Sequence, residues 1–317
     1  MEQRERYESL YHATTQHLLV RDFQAAEESV LSLLKSRPRD NLEDDLLRYT
    51  DSFEDRLKGW TRSSEDAIKA YKLYAFVLTS KYTERLESTS ASAQVAPGRL
   101  KSVFDEVVKT YDQDSDGGQL SSSTPETRLL RLHPSILQTV LLSLLKINST
   151  YPCPYSESLP TQQRIDHPLH IARTTIERWL AELEEETIKS LSFPKRFITR
   201  EKNRHKGKYP SIQVPNSSTN EGAKRVEDDW AWYTISERLG SMNKSYRAVL
   251  RTYVLEVLPR FEDWDLARDM ILAGLFPRVE EQEVSRTYSR PVTIDLTGRR
   301  LIINGLAYIS ETAQETS

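Results

Sequence analysis

The 317 residues predict an all-α chain assembled from helical hairpins, on three observations. Apolar side chains recur at three- and four-residue spacing through most of the chain, the pattern that lines one face of a helix. The two ends share one design, a pair of such stripes joined by a short charged turn. Glycine is scarce, ten residues in all, and none stands in a GxGxxG, GxxxxGK[ST] or GxSxG pattern, so the turns on which doubly wound nucleotide folds and α/β-hydrolases depend are missing. Low glycine also agrees with helix-on-helix packing.

In the first pair, Tyr7, Leu10, Tyr11, Thr14 and Leu18 form one stripe. After Val20-Arg21-Asp22, the set Phe23, Ala26, Val30, Leu33 and Leu34 resumes it, and Lys35 with Arg37-Pro38 closes the helix. Phe23 ahead of Ala25 and Ala26 allows close helix approach, as in tetratricopeptide-like units, although the full repeat consensus is absent. The architecture expected is therefore an irregular tetratricopeptide-like solenoid or bundle.

A polar, acidic stretch from Asp40 to Asp55 leads to a second pair. Ser64 is placed to cap a helix that opens with Glu65-Asp66 and carries Ala67, Ala70, Tyr71, Tyr74, Val77 and Leu78 on one face. At helical spacing Tyr71, Tyr74 and Tyr82 read as core residues rather than a stacking platform for bases. A Ser/Ala-rich linker, Ser88 to Pro97, precedes a helix around Val103, Phe104, Val107, Val108 and Tyr111. Asp112-Gln113-Asp114-Ser115-Asp116-Gly117 imitates the first half of an EF-hand loop, but the twelfth position, which needs a bidentate Glu, is Ser123. It reads as a solvated acidic linker.

His133-Pro134 opens the most apolar helix, Ile136 to Ile147. Pro152, Pro154 and Pro160 mark an extended loop around Cys153. A helix is expected from Pro168 to Ile188, with Ile171, Thr175, Ile176, Trp179, Leu180 and Leu183 buried and Glu182, Glu184, Glu185 and Glu186 exposed. His167 and His170 lack a third ligand at metal spacing and read as capping or surface residues. Lys195, Arg196, Arg200, Lys202, Arg204, Lys206 and Lys208 stand against one acid, Glu201; this run reads as a basic loop suited to anionic lipid or an acidic partner. A pI near 6.2 and few interleaved aromatics argue against a nucleic-acid groove.

The last pair starts at Val226, resumes after Gly240, ends at Leu258-Pro259 and returns as Trp264 to Leu272, with Asp263 as cap. Polar substitution of Leu258 or Trp264 should unfold it. Pro291 to Leu296, a Thr297-Gly298 turn and Arg299 to Ile303 form a short β-hairpin. The segments expected are 1–87 helical hairpins, 88–132 helix and linker, 133–194 a central helical pair, 195–224 a basic and polar loop, 225–277 a helical hairpin, and 278–317 a tail.

One cysteine, Cys153, excludes an internal disulfide and fits a reducing compartment. The charged N-terminus carries no secretion or transit pattern. Ile136–Ile147 is about a dozen residues where a membrane span needs ~20, so the chain is expected to be soluble. The six histidines, at 12, 17, 133, 167, 170 and 205, form no nucleophile or metal motif; no catalytic residue, cofactor or metal is expected. The chain reads as a non-enzymatic adaptor. Its candidate partner contacts are Arg21 and Gln24 in the first hairpin, with Leu19 and Phe23 beside them, for which a core role is preferred. Lys195, Arg196, Arg200, Lys202 and Arg204 are the candidate basic contacts. The alternatives are a helical enzyme or small-molecule binder with an enclosed pocket between the hairpins, and a tetratricopeptide-like scaffold in another pathway.

Two passages, Ala13 through Leu18-Leu19-Val20-Arg21-Asp22-Phe23 to Ala26, and Tyr253 through Leu258-Pro259-Arg260-Phe261-Glu262-Asp263-Trp264 to Arg268, resemble the fungal peroxin twenty-six family of peroxisomal assembly proteins. Between them His133-Pro134 and Ile176-Glu177-Arg178-Trp179-Leu180 fall in a similar order, and the likeness spans Tyr7 to Leu275. The resemblance implies an α-helical cytosolic domain that docks the paired AAA-type peroxin ATPases at the peroxisomal membrane and supports recycling of the matrix-protein import receptor. It also implies a hydrophobic anchor near the C-terminus, from which this sequence departs: Leu301 to Ile309 is about nine residues, includes Asn304 and is too short to span.

Overall fold

The computed structural model describes residues 2–36, 46, 49–88, 100, 105–111, 132–150, 167–208, 220–272, 292–296 and 299–303. The chain divides into a helical unit, Met1–Ala273, and a second unit, Gly274–Ser317. Among the described residues of the first unit all regular structure is helical. Within the second, β1 (Val292–Leu296) pairs antiparallel with β2 (Arg299–Ile303), in a register from Val292 opposite Ile303 to Leu296 opposite Arg299.

Helices α1 (Glu2–Leu19) and α2 (Phe23–Ser36) form the first hairpin. Arg21 sits in the left-handed region at φ 61°. Its amide donates to the Leu18 carbonyl at 3.2 Å and that of Asp22 to His17 at 2.9 Å, the paired bonds of a Schellman turn, in which glycine is usual. The Asp22 carboxylate then accepts from the Ala25 amide and caps α2. Phe23, Ala26, Val30, Leu33 and Leu34 are buried as their spacing predicts.

The acidic stretch 40–55 is more than a linker. Leu46, Tyr49, Thr50 and Phe53 are buried, with helical backbone at 46 and 49–50. The chain then enters α3 (Asp55–Arg62), capped by Glu54, whose carboxylate accepts from the Arg56 and Leu57 amides. Ser64 caps α4 (Glu65–Ser88) through the Ala67 amide, and every residue of the expected stripe is buried. Residues 105–111 are helical and bury Val107, Val108 and Tyr111. The EF-hand-like segment 112–123 and Cys153 lie outside the described residues.

Two helices start identically. His133 precedes α5 (Pro134–Thr150) and His167 precedes α6 (Pro168–Ala181). Each buried imidazole accepts through Nδ1 from the amide two residues on, at 3.2 Å, and proline takes the first helical position, where its missing N–H costs nothing. The helix expected to reach Ile188 stops at Ala181. Leu183 turns inward between exposed Glu182 and Glu184, and a new helix, α7 (Glu185–Ser192), begins. The Glu54 carboxylate accepts from Thr187 Oγ1 at 2.6 Å, tying α7 to α3.

The basic run is a helix, not a loop: α8 (Pro194–Lys208). Pro194 pre-sets its first turn, and Phe197 and Glu201, one turn apart, bury one face. The Gly240 interruption is likewise absent, since α9 runs from Asn220 to Thr252. Because Pro259 has no N–H for the helical ladder, the chain widens into a π turn, Tyr253–Val257, then tightens to a 3-10 turn, Leu258–Phe261. Leu258 before the proline stays helical (φ −54°, ψ −44°), so the helix is reshaped there rather than ended. Glu262, at φ 60°, closes a second Schellman turn, with the Asp263 amide on the Leu258 carbonyl, before α10 (Trp264–Leu272). Both hairpins therefore turn on a left-handed charged residue, an aspartate and an aromatic. Leu258 is fully buried whereas Trp264 is only half-buried, so the severe effect expected of polar substitution belongs to Leu258 and not to Trp264.

Successive helices pack in order, α1 on α2, α2 on α4, α4 on α5. Helix α5 is then also flanked by α6 and α9. At this convergence Trp60 stacks on Trp179 (centroids 5.8 Å apart), with His133 and Tyr246 against them.

A Cβ at Gly240 would meet nothing within 4 Å. Gly240→Ala is therefore expected to stabilise the protein by about 1 kcal/mol, read as a raised melting midpoint; an unchanged or lowered midpoint would contradict the open helical environment.

Candidate functional site

The first hairpin separates the candidate contact residues. Phe23 is core, as preferred, but Leu19 is 79% exposed and its neighbour Val20 73%. The core reading of Leu19 is overturned because α1 ends there and the left-handed turn at Arg21 points the pair outward. Arg21 and Gln24 are exposed. Gln24 Nε2 donates to Glu28 at 2.9 Å and its Oε1 accepts from Lys81, which also pairs with Glu27. Of the four, Leu19 and Arg21 stand at the tip, Gln24 on the flank of α2, and Phe23 inside.

The basic residues are organised by the one acid among them. Glu201 is 2% exposed and accepts from Arg200 Nε at 3.0 Å, Arg204 Nη1 at 3.2 Å and Ser52 Oγ at 2.9 Å. Arg200 also donates to Glu186 at 2.9 Å, which holds the Glu186 carboxyl below its ordinary range. Lys202 pairs with Asp229 at 3.0 Å. The Arg196 and Arg200 guanidinium groups lie over Phe193 and Phe197, while Lys195 is exposed. The side chains of Lys206 and Lys208 lie outside the described residues. Three of the basic residues of the run, Arg200, Lys202 and Arg204, are thus met by acids within the fold. The spacing signal was there, with Arg200 and Arg204 adjacent to and one turn from Glu201.

Ser52, Arg200, Glu201 and Arg204 line an open groove of about 590 Å³ together with Phe53, Leu57, Phe197, Glu54, Glu184 and Glu186. A second groove, about 540 Å³, is lined by His170, Arg173, Glu177, Arg260, Phe261 and Asp263. There Arg173 spans Glu177 (2.8 Å) and Asp263 (2.7 Å), and Tyr253 donates to Glu177 at 2.7 Å. Desolvation and the Glu177 carboxylate push the Tyr253 phenol up. Asp263 thus spends its carboxylate on α6, while its carbonyl accepts the Ala267 amide at the start of α10. Among the described residues no group of three His, Cys, Asp or Glu is placed to hold a metal ion, and no helix is long and apolar enough to cross a membrane. Trp230 and Tyr233 on α9 are exposed aromatics.

The geometry makes an asymmetric prediction. Glu201→Ala leaves Ser52 and two guanidinium groups without their shared acceptor and is expected to cost about 2–3 kcal/mol. Arg204→Ala removes one exposed partner and should cost under about 1 kcal/mol. Urea denaturation of both variants reads the difference, and equal losses would refute the organising role of the buried carboxylate.

What these elements define is an all-α protein of stacked and bundled helices presenting open, polar-lined grooves and exposed apolar residues. No family model, no curated protein and no solved structure matches the chain.

Proposed function

We propose that this chain is a non-enzymatic adaptor that docks the AAA-type peroxin ATPases at the peroxisomal membrane and so serves import-receptor recycling. The reading draws its partner from the sequence resemblance and its surface from one observation. Leu19 and Val20 stand exposed side by side at the tip of the first hairpin, on a turn held by two backbone hydrogen bonds and the Asp22 cap. A rigid pair of aliphatic anchors suits protein recognition, because little side-chain or loop entropy remains to be lost on binding. Arg21 and Gln24 beside it supply the polar rim. Open grooves whose charges are paired internally also suit an adaptor better than a small-molecule enzyme, which needs an enclosed apolar pocket.

The test is affinity capture from a fungal cell with the full chain and with a Leu19→Asp/Val20→Asp variant. Recovery of both ATPases by the wild type and their loss from the variant is the expected result. Reproducible absence of the ATPases from the wild-type eluate overturns the peroxisomal reading, and undiminished capture by the variant overturns the choice of surface.

A further inference from the structure

A second surface lies where α4 packs on α5. Phe76 on α4 is 42% exposed and Leu142 on α5 is 49% exposed. Lys146, one turn beyond Leu142, holds its ammonium 5.3 Å from the centroid of the Phe76 ring. Lys72 stands one turn before Phe76 and is exposed. Phe76 and Lys146 therefore meet across two adjacent helices, with Lys72 and Leu142 each one turn away on its own helix, so that two exposed apolar side chains and two cations share this region.

Its charge is one-sided. The other lysines of α4 are met by acids, Lys69 by Glu65 at 2.9 Å and Lys81 by Glu27. Lys72 and Lys146 have no ion pair among the described residues. Helix α5 contains no Asp or Glu, and α4 contains none between Ala67 and Thr83. A partner that covers Phe76 and Leu142 must also desolvate the surroundings of two lysines, which is favourable only if it brings carboxylates. Two packed helices offer a seam along which a third helix can lie, and its apolar residues at three- and four-residue spacing would meet Phe76 and Leu142.

We propose that the α4–α5 face docks an acidic amphipathic helix of a partner protein. A second copy of this chain is disfavoured, since a two-fold contact over Phe76 would bring like cations together. The proposal does not depend on the identity of the partner at the first hairpin.

The test is fluorescence anisotropy of the full chain with a labelled amphipathic peptide about five turns long, carrying leucines on one face and glutamates beside them. A twin peptide with lysine at every glutamate position serves as the comparison. The acidic peptide should bind at least ~10-fold more tightly than its twin, and Lys72→Glu/Lys146→Glu should invert that order. Phe76→Ser/Leu142→Ser should weaken the acidic peptide ~10-fold or more with little change in melting midpoint, because both residues are exposed. Equal binding of the twins, or unchanged preference in the charge-reversed chain, overturns the proposal. So does sedimentation of the wild type as a dimer that Leu142→Ser converts to monomer.

Discussion

Trp179→Ala is expected to cost about 3–5 kcal/mol, a large share of the stability of an ordinary domain. Trp179 is fully buried at the convergence of four helices. It lies on α6, stacks on Trp60 of α3 with an interplanar angle of 24°, and meets Tyr246 of α9 at 6.1 Å. Its indole Nε1 donates to the Leu132 carbonyl at 3.3 Å, just ahead of α5. Truncation removes the apolar area, the stack and that donor together, and leaves a cavity whose walls belong to separate helices and so cannot collapse cheaply. Trp179→Phe keeps a ring in the stack and should recover more than half of the loss. Guanidinium denaturation monitored by far-UV circular dichroism measures both. A Trp179→Ala loss below about 1 kcal/mol would mean that this convergence is not the centre of the core.

The residues that predicted the fold were those whose neighbours in sequence are also their neighbours in space. The stripes of α2 and α4, the Ser64 cap and the Asp22 turn depend on contacts within one or two helical turns, and periodicity exposes them. Trp60 and Leu46 were masked by the charges around them: Leu42, Leu46, Tyr49, Phe53, Leu57 and Trp60 do recur at three- and four-residue spacing, but in a stretch rich in Asp, Glu and Arg, and the partner of Trp60 is Trp179, far along the chain. The basic segment of α8 misled for the opposite reason. A charge run signals solvation only if nothing folds onto it, and here Glu186 and Asp229 arrive from α7 and α9. Leu19 shows the same limit at a surface. It lies one residue past Leu18, where the α1 stripe ends, and the left-handed residue two positions later carries the chain away before the partner helix can cover it. Neither the Leu19–Val20 tip nor the Phe76–Leu142 patch is visible from periodicity, because each is a residue left uncovered by packing.

Acidification from pH 7.5 to 5 should remove about 2 kcal/mol of stability through His133 alone. The imidazole is buried against Trp60, and burial, with Lys72 adding a smaller repulsion, lowers its pKa from 6.5 to about 3. The folded protein therefore binds fewer protons at this site than the unfolded chain. Its contribution is fully present above the unfolded pKa and is lost as pH falls through 6.5, at a slope that approaches about 1.4 kcal/mol per pH unit and levels off only near the folded value. Glu186 has a lowered pKa too, but its share is lost only below the ordinary carboxylate range, so the two groups act in separate windows. Protonation of Nδ1 would also take away the acceptor of the Ser135 amide and uncap α5. His133→Asn tests the assignment, since asparagine supplies a capping oxygen and cannot titrate. The variant should be less stable than wild type at pH 7.5, because the imidazole's contact with Trp60 is lost. Its stability should decline less steeply between pH 6.5 and 5 than that of the wild type. Denaturation midpoints at pH 7.5, 6.5, 5.5 and 5 give both slopes, and parallel declines in the two proteins would exclude His133 as the acid-sensitive group.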